Sequence, residues 1–243
     1  MERYQRQLLL PELGYEGQEK LANGKVALIG VGGLGGTCAI YLTVAGVAEK
    51  EGKLTLIDFD KVSISNLNRQ ILYSEKDIAQ LKVKVATEKL QAYNQQIHIQ
   101  PYTNKISSQN IHQLLKDSDI IIDAGDNFSL TYLLNDYAKK MQKPFISASV
   151  EGTKGYISVS CYSTATQQNL PSLRAIFPNP PDTSQQLKPI PIIGTTAGTF
   201  GLLLAQECIK VLLQDKSQLA GKLLSLDLWN YHQNIIDFSE SKE

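Results

Sequence analysis

The sequence predicts an α/β fold: a mostly parallel sheet with helices on both faces, finished by antiparallel strands near the C-terminus. Three observations carry this expectation. Short apolar runs alternate with amphipathic segments through the first 150 residues. The runs are apolar almost throughout, as strands covered on both faces must be. After residue 150 the pattern changes to alternating strands around one long apolar helix.

In chain order, residues 25–30 (KVALIG), 53–58 (KLTLID), 97–102 (IHIQPY), 119–124 (DIIIDA) and 144–150 (PFISASV) read as strands. A helix-like segment follows the first strand. Residues 82–93 place Val83, Ala86, Leu90 and Tyr93 on one helix face. Residues 110–116 and 129–140 also read as helix. Residues 155–162 (GYISVSCY) alternate like a half-exposed strand. The segment 163–191 then holds six of the nine prolines and reads as a long loop, a kind that is usually functional or disordered. Residues 195–213 return to helix, with Ala197, Phe200, Leu204, Cys208 and Val211 on one stripe. Residues 222–228 and 232–238 form a closing hairpin. No repeat or linker interrupts the chain, so one domain over 1–243 is expected, with a proline-rich crossover loop at about 163–191.

Bulk composition excludes several classes. Lysine plus arginine and aspartate plus glutamate balance at 24 each, so no basic excess calls for nucleic acid. The N-terminus lacks the charged, apolar, small order of a signal peptide. No apolar stretch approaches the length of a membrane span, so no membrane partner is expected. Cys38, Cys161 and Cys208 are odd in number and far apart, which argues against a disulfide framework and a structural zinc site. A cytoplasmic protein is the expectation.

Gly30, Gly32 and Gly35 match G-x-G-x-x-G directly after the first strand, in ALIGVGGLGGTCA (27–39). Glycine suits such a turn because the backbone folds tightly and approaches phosphate oxygens with no Cβ in the way. The following helix opens with unpaired N–H groups and a partial positive charge. Asp58 ends the next strand, about twenty residues on, where a carboxylate meets a ribose hydroxyl. This is a Rossmann-like nucleotide loop that NAD and ATP fit equally. The plainer alternative is a tight turn with no ligand.

The next segment separates the two nucleotides. KVSISNLNRQIL (61–72) places Asn66 and Arg69 in a loop where a dehydrogenase is already on its way to another strand. A planar guanidinium clamps a polyphosphate with paired hydrogen bonds. Lys82 opens the next helix and reaches phosphate as a point charge, although a lysine so placed is ordinarily a solvated surface residue. Asp126, in GDN (125–127), lies at the carboxyl end of the sheet, where a carboxylate can hold Mg²⁺. A dehydrogenase needs neither the clamp nor the metal.

RYQRQLLLP (3–11), GYEGQ (14–18), GVGGLG (30–35), LIDFD (56–60), SNLNRQIL (65–72), Lys82 and Asp126-Asn127 occur in order across nearly the whole chain. In this set the sequence resembles the ThiF/MoeB/HesA adenylating enzymes, relatives of ubiquitin-activating enzymes. It looks most like the shorter, zinc-lacking bacterial ThiF members that serve thiamine biosynthesis. The resemblance implies that the C-terminal Gly-Gly of a ubiquitin-like sulfur-carrier protein attacks the α-phosphate of MgATP, leaving an acyl-adenylate and pyrophosphate. It implies that Gly32 and Gly33 line the nucleotide and Asp58 binds the ribose. Asn66, Arg69 and Lys82 then hold the triphosphate, and Asp126 binds Mg²⁺. Arg6 corresponds to an arginine that reaches the neighbouring subunit's ATP site, so a homodimer is implied; read alone, it is an exposed residue near a terminus. Arg6, Arg69, Lys82 and Asp126 form the expected catalytic set, acting by position and fixed charge.

Two family features are missing. The first Cys-x-x-Cys pair that holds zinc in many members falls at Ser172 and Ala175, and the second at a C-terminus that reads FSESKE (238–243), so no zinc is expected. The cysteine that takes part in sulfur transfer in several relatives falls near Leu187. Cys38, Cys161 (placed on a strand) and Cys208 read as packing residues, so a separate persulfide donor is implied. His98, His112 and His232 read as structural or exposed. Within this class, a molybdopterin- or cysteine-pathway carrier, or a peptide, is the alternative to a thiamine-type carrier. Outside it, an NAD-dependent oxidoreductase leaves Arg69, Lys82 and Asp126 unexplained. A non-catalytic binding protein has no use for the complete ATP-handling set.

Overall fold

A computed structural model of the chain describes residues 2–162, 170–181 and 190–241. Its sheet has eight strands in the order β3-β2-β1-β4-β5-β6-β7-β8. These are β1 (Lys25–Ile29), β2 (Lys53–Ile57), β3 (Ile99–Tyr102), β4 (Ile120–Asp123), β5 (Phe145–Glu151), β6 (Lys154–Ser160), β7 (Lys222–Asp227) and β8 (His232–Asp237). The pairings through β5 are parallel, and those from β5 to β8 are antiparallel. All the expected strands form, as does the closing hairpin.

The helices are α1 (Gly14–Asn23), α2 (Gly33–Val44), α3 (Lys82–Tyr93), α4 (Ile111–Leu115), α5 (Phe128–Met141) and α6 (Gly194–Leu213). Along β1 the side chains divide between two layers. Val26 and Leu28 join Leu42 of α2, Leu90 of α3 and Leu204 of α6, while Ala27 and Ile29 join Leu115 of α4 and Leu134 of α5. That two-sided cover is why the parallel strands are apolar throughout.

Helix α1 has no counterpart in the sequence expectation, because Gly14 and Gly17 weaken its helical signal. Packing decides it: Gln18, Leu21 and Ala22 are buried, and a Cβ on Gly17 would stand 2.8 Å from Leu213 Cδ2. The expected stripe on α6 is buried at every position. Gly201 lets α6 lie close on α2, since a Cβ there would be 2.4 Å from the carbonyl oxygen of Leu34. One expectation needs correction. By length and composition α6 is apolar enough to cross a membrane; here half of it is buried, against α2, β5 and β6.

Of the proline-rich loop, 163–169 and 182–189, with Leu187, lie outside the described residues. Ser172 and Ala175, the positions where zinc ligands would stand, lie at a 3₁₀ turn, with Ser172 buried and its side chain accepting from the Arg174 N–H. The Arg174 guanidinium donates to both carboxylate oxygens of Asp136 on α5, at 2.7 and 2.8 Å, and stacks over Tyr132. A planar fork thus pins this turn to α5. Cys161 is not on a strand: it is the first residue past β6, buried, with φ 72°.

Candidate active site

The winding reverses at β1, which has β2 on one side and β4 on the other. Ligands of open α/β sheets bind at such a point, outside the strands' carboxyl ends. The chain leaves β1 through Gly30 at φ 85°, where a Cβ would lie 2.9 Å from the carbonyl oxygen of Ala124 at the end of β4. Gly35 is tighter still: a Cβ would stand 1.9 Å from the carbonyl oxygen of Gly30. Helix α2 then begins behind Gly32 with no side chain capping its first turn. A Cβ on Gly33 would come within 3.0 Å of Ala197 Cβ and 3.3 Å of the carbonyl oxygen of Arg69. Helix α6 starts beside this loop, Gly194 against Asn68, also without a side-chain cap. Two helix N-termini therefore present free N–H groups and positive dipole ends to one crevice.

Around it stand most of the expected residues. Asp58 is buried; its carboxylate accepts from the Val31 N–H at 2.9 Å and the Asp60 N–H at 2.8 Å, so it also shapes the glycine loop. Burial raises its pKa, and the two backbone donors work against that rise. Asn66 accepts from the Ser63 N–H and closes a short 3₁₀ turn, which leaves its side-chain NH₂ available. Arg69 donates to the carbonyl oxygen of Ser65 and to Asn68 Oδ1, both at 2.9 Å, with its stem beside Gly33. Lys82 is buried rather than solvated: its ammonium is paired at 3.0 Å with Asp60, whose own side chain is half exposed. Asp126 is exposed just past β4.

Arg6 is not brought to this crevice. Its arm is tied to the opposite end of α2, where Gln7 Nε2 donates to the carbonyl oxygen of Ala45 at 2.9 Å and buried Tyr4 hydrogen-bonds Glu49. Twelve helical residues separate those ends by roughly 17 Å.

Several residues at the site have no place in the sequence expectation. Asp60 holds Lys82, and the Tyr73 hydroxyl donates to the carbonyl oxygen of Val31 at 2.7 Å. Asp123 is buried at the end of β4, where it accepts from Thr131 Oγ1 at 2.6 Å and the Gly125 N–H at 3.0 Å and so shapes the turn carrying Asp126. Its signal was present in DIIID: a carboxylate within an apolar strand must find donors.

The site's chemistry fits a magnesium nucleotide. Backbone N–H groups, a guanidinium and an ammonium suit phosphates, glycines keep Cβ atoms out of the cradle, and an exposed carboxylate suits Mg²⁺. Residues 4–243 match the ThiF family. The chain belongs to the ThiF family. A sulfur carrier protein adenylyltransferase of Thermus thermophilus is 36% identical over 229 residues, which are 93% of this chain and 83% of that protein. An adenylyltransferase and sulfurtransferase MOCS3 of Drosophila ananassae is 39% identical over 227 residues, and this chain spans 48% of its length. Among solved structures, E. coli MccB with ATP aligns at a TM-score of 0.79 with 22% identity, over 93% of this chain and 67% of that one. PaaA aligns at 0.80 with 24% identity, over 98% of this chain and 73% of that one. Likeness at that identity is a likeness of fold. In this ThiF-family enzyme, all three cysteines are buried, and burial raises each thiol's pKa, that of Cys161 to about 12.

Proposed function

We propose that this ThiF-family enzyme uses ATP and Mg²⁺ to adenylate the C-terminal glycine carboxylate of a ubiquitin-like sulfur-carrier protein, releasing pyrophosphate. The observation that carries this reading is the convergence of two uncapped helix N-termini with Arg69 and buried Lys82 on a loop that excludes side chains. The likeness to the Thermus thermophilus protein supports the class of acceptor.

The acceptor carboxylate is ionised at neutral pH, so no side-chain nucleophile is required. Its attack on the α-phosphorus builds negative charge on the phosphate oxygens, which donors fixed in advance stabilise. Asp60 holds Lys82 in place, Asp58 fixes the glycine loop and keeps lone pairs for a ribose hydroxyl, and Asn66 and Arg69 offer further donors. Asp126 would hold Mg²⁺, which when bound neutralises phosphate charge. Arg6, fastened at the far end of α2, serves the site of a second copy, and the enzyme works as a homodimer. A thiamine-pathway carrier is the favoured partner, from the resemblance to short bacterial members. Sulfur comes from a separate persulfide donor, because burial keeps the enzyme's thiols protonated.

The test is ATP–pyrophosphate exchange with Mg²⁺, with and without a carrier ending in Gly-Gly. Exchange should require the carrier and fall about 10³-fold or more in Arg69→Ala and Asp126→Ala. Mixing Arg6→Ala with Asp126→Ala should restore activity, since one site of each mixed dimer then has both residues. Failure of any carrier to elicit exchange, or exchange indifferent to both substitutions, overturns the reading.

A further inference from the structure

Among the described residues, three buried side-chain polar atoms have no hydrogen-bond partner: Thr43 Oγ1, Gln70 Oε1 and Thr196 Oγ1. Gln70 is at the glycine loop. It is 6% exposed, and a Cβ on Gly32 would meet its Nε2 at 3.4 Å and its Cδ at 3.8 Å. The carboxamide therefore lies against the residue that precedes the uncapped first turn of α2. Its backbone is fixed from both sides: the Gln70 N–H donates to Asn66 at 2.9 Å, and the Tyr73 N–H donates to Gln70 at 3.0 Å. Tyr73 in turn is bonded to Val31 within the loop. Gln70 cannot leave the loop without undoing that turn.

A buried amide acceptor without a donor opposes folding, and a methionine would fill the same space without that penalty. Thr196, wholly buried in the first turn of α6 and preceding the Ala197 that packs on Gly33, carries the same anomaly. Thr43 lies near the far end of α2. Gln70 and Thr196 belong to the two segments that meet at Gly33, and an unpaired buried polar atom beside such a loop is the mark of a site that trades stability for binding.

We infer that Gln70 is a further nucleotide-binding residue, whose Nε2 donates to a phosphate oxygen seated on the first turn of α2. This rests on the ATP reading above. The donor supplements the backbone N–H groups at Gly32 and Gly33 with one that a side chain aims. Aiming it leaves Oε1 buried without a partner.

Two variants test it. Gln70→Met keeps length and apolar volume but cannot donate; Gln70→Glu keeps the shape and turns the donor into a charge facing phosphate. Calorimetric titration should show ATP and inorganic triphosphate bound about tenfold more weakly by Gln70→Met, and more weakly still by Gln70→Glu. Adenosine should bind the wild type and Gln70→Met alike. The melting midpoint of ligand-free Gln70→Met should equal or exceed that of the wild type, which a purely structural glutamine would not allow. A midpoint several degrees lower with unchanged triphosphate affinity overturns the inference. Should either variant fail to fold, NMR of wild-type protein labelled at glutamine side-chain nitrogen decides: a side-chain NH₂ signal must move with inorganic triphosphate, and none moving overturns the inference. Wild type that binds no ATP at all defeats the nucleotide reading instead.

Discussion

The two ends of the sheet are built on different terms. Strands β1, β2 and β4 are buried along nearly their whole length, whereas all six residues of β8 are exposed. Their carboxylates differ in the same sense. Asp58 and Asp123, past β2 and at the end of β4, have pKa values raised by burial. Asp227 and Asp237, on the β7–β8 hairpin, have theirs lowered, first by the Asn230 amide and the Ser239 hydroxyl respectively. The buried end uses polar groups to fix loops around the crevice. The exposed end uses its carboxylates to hold turns: Asp227 accepts from Trp229 and Asn230 in its own hairpin and from Thr153 in the β5–β6 turn, and Asp237 accepts from Ser239. Substitutions at one end should therefore change chemistry and folding together, and at the other leave the chemistry intact and change stability only slightly.

The strongest way to break that contrast is Gly35→Ala. The added Cβ would sit 1.9 Å from the carbonyl oxygen of Gly30, so the loop and α2 cannot both keep their places. Unfolding in urea should show a loss of about 3 kcal/mol or more, with ATP binding lost as well. Stability near that of the wild type would mean the loop and helix are not locked together.

The next test sharpens the other side. Trp229 is 72% exposed and Tyr231 is 92% exposed, in the turn after β7, which lies several strands from the crevice but on the same side of the sheet as the carboxyl ends of β1, β4 and β5. Exposed aromatics of this kind anchor protein partners. Changing both to alanine should leave stability within about 0.5 kcal/mol and ATP affinity unaltered. Carrier affinity, read by titration, should fall about tenfold. An unchanged carrier affinity would remove the hairpin from recognition.

What the sequence made legible follows the same division. Strands buried on both faces, a loop that excludes side chains and a helix with one buried stripe leave patterns that a linear reading detects. Residues 25–29, Gly30 to Gly35 and the α6 stripe were all expected. Contacts made across long sequence separations leave none. Nothing in Lys82 or Asp60 alone shows that the lysine is buried under that carboxylate, 22 residues away. The arm carrying Arg6 is fixed through the Asn94 amide on the Tyr4 hydroxyl, 90 residues apart, so its distance from the crevice emerges only in three dimensions. Helix α1 leaves no linear signal because Gly17 is there for packing on α6 and Gly14 for a positive φ, and tertiary packing overrides propensity. Gln70 sits within the very motif that was recognised, but what distinguishes it is a missing partner, and only a folded structure has those.

The smallest effect offers the cleanest sign. Asp227 accepts from the Trp229 N–H at 3.0 Å and from Asn230 Nδ2 at 2.9 Å, and pairs with Lys154 at 3.4 Å. These donors lower its pKa to about 2, the Asn230 amide contributing most. The unfolded chain's aspartate titrates near about 3.9. A carboxylate lowered on folding stabilises the fold above the unfolded value, and that contribution is lost as pH falls through the folded one. Asp227→Asn should thus be slightly less stable than the wild type at neutral pH, with the gap closing between about pH 4 and pH 2. Asp58 and Asp123 have the opposite sign, since their raised values favour the fold at low pH and lose that contribution as pH rises. Urea midpoints for wild type and Asp227→Asn across that window isolate the hairpin, because the two buried aspartates are common to both proteins and cancel. A gap that persists unchanged to pH 2 would show that the hairpin's network acts through shape rather than charge.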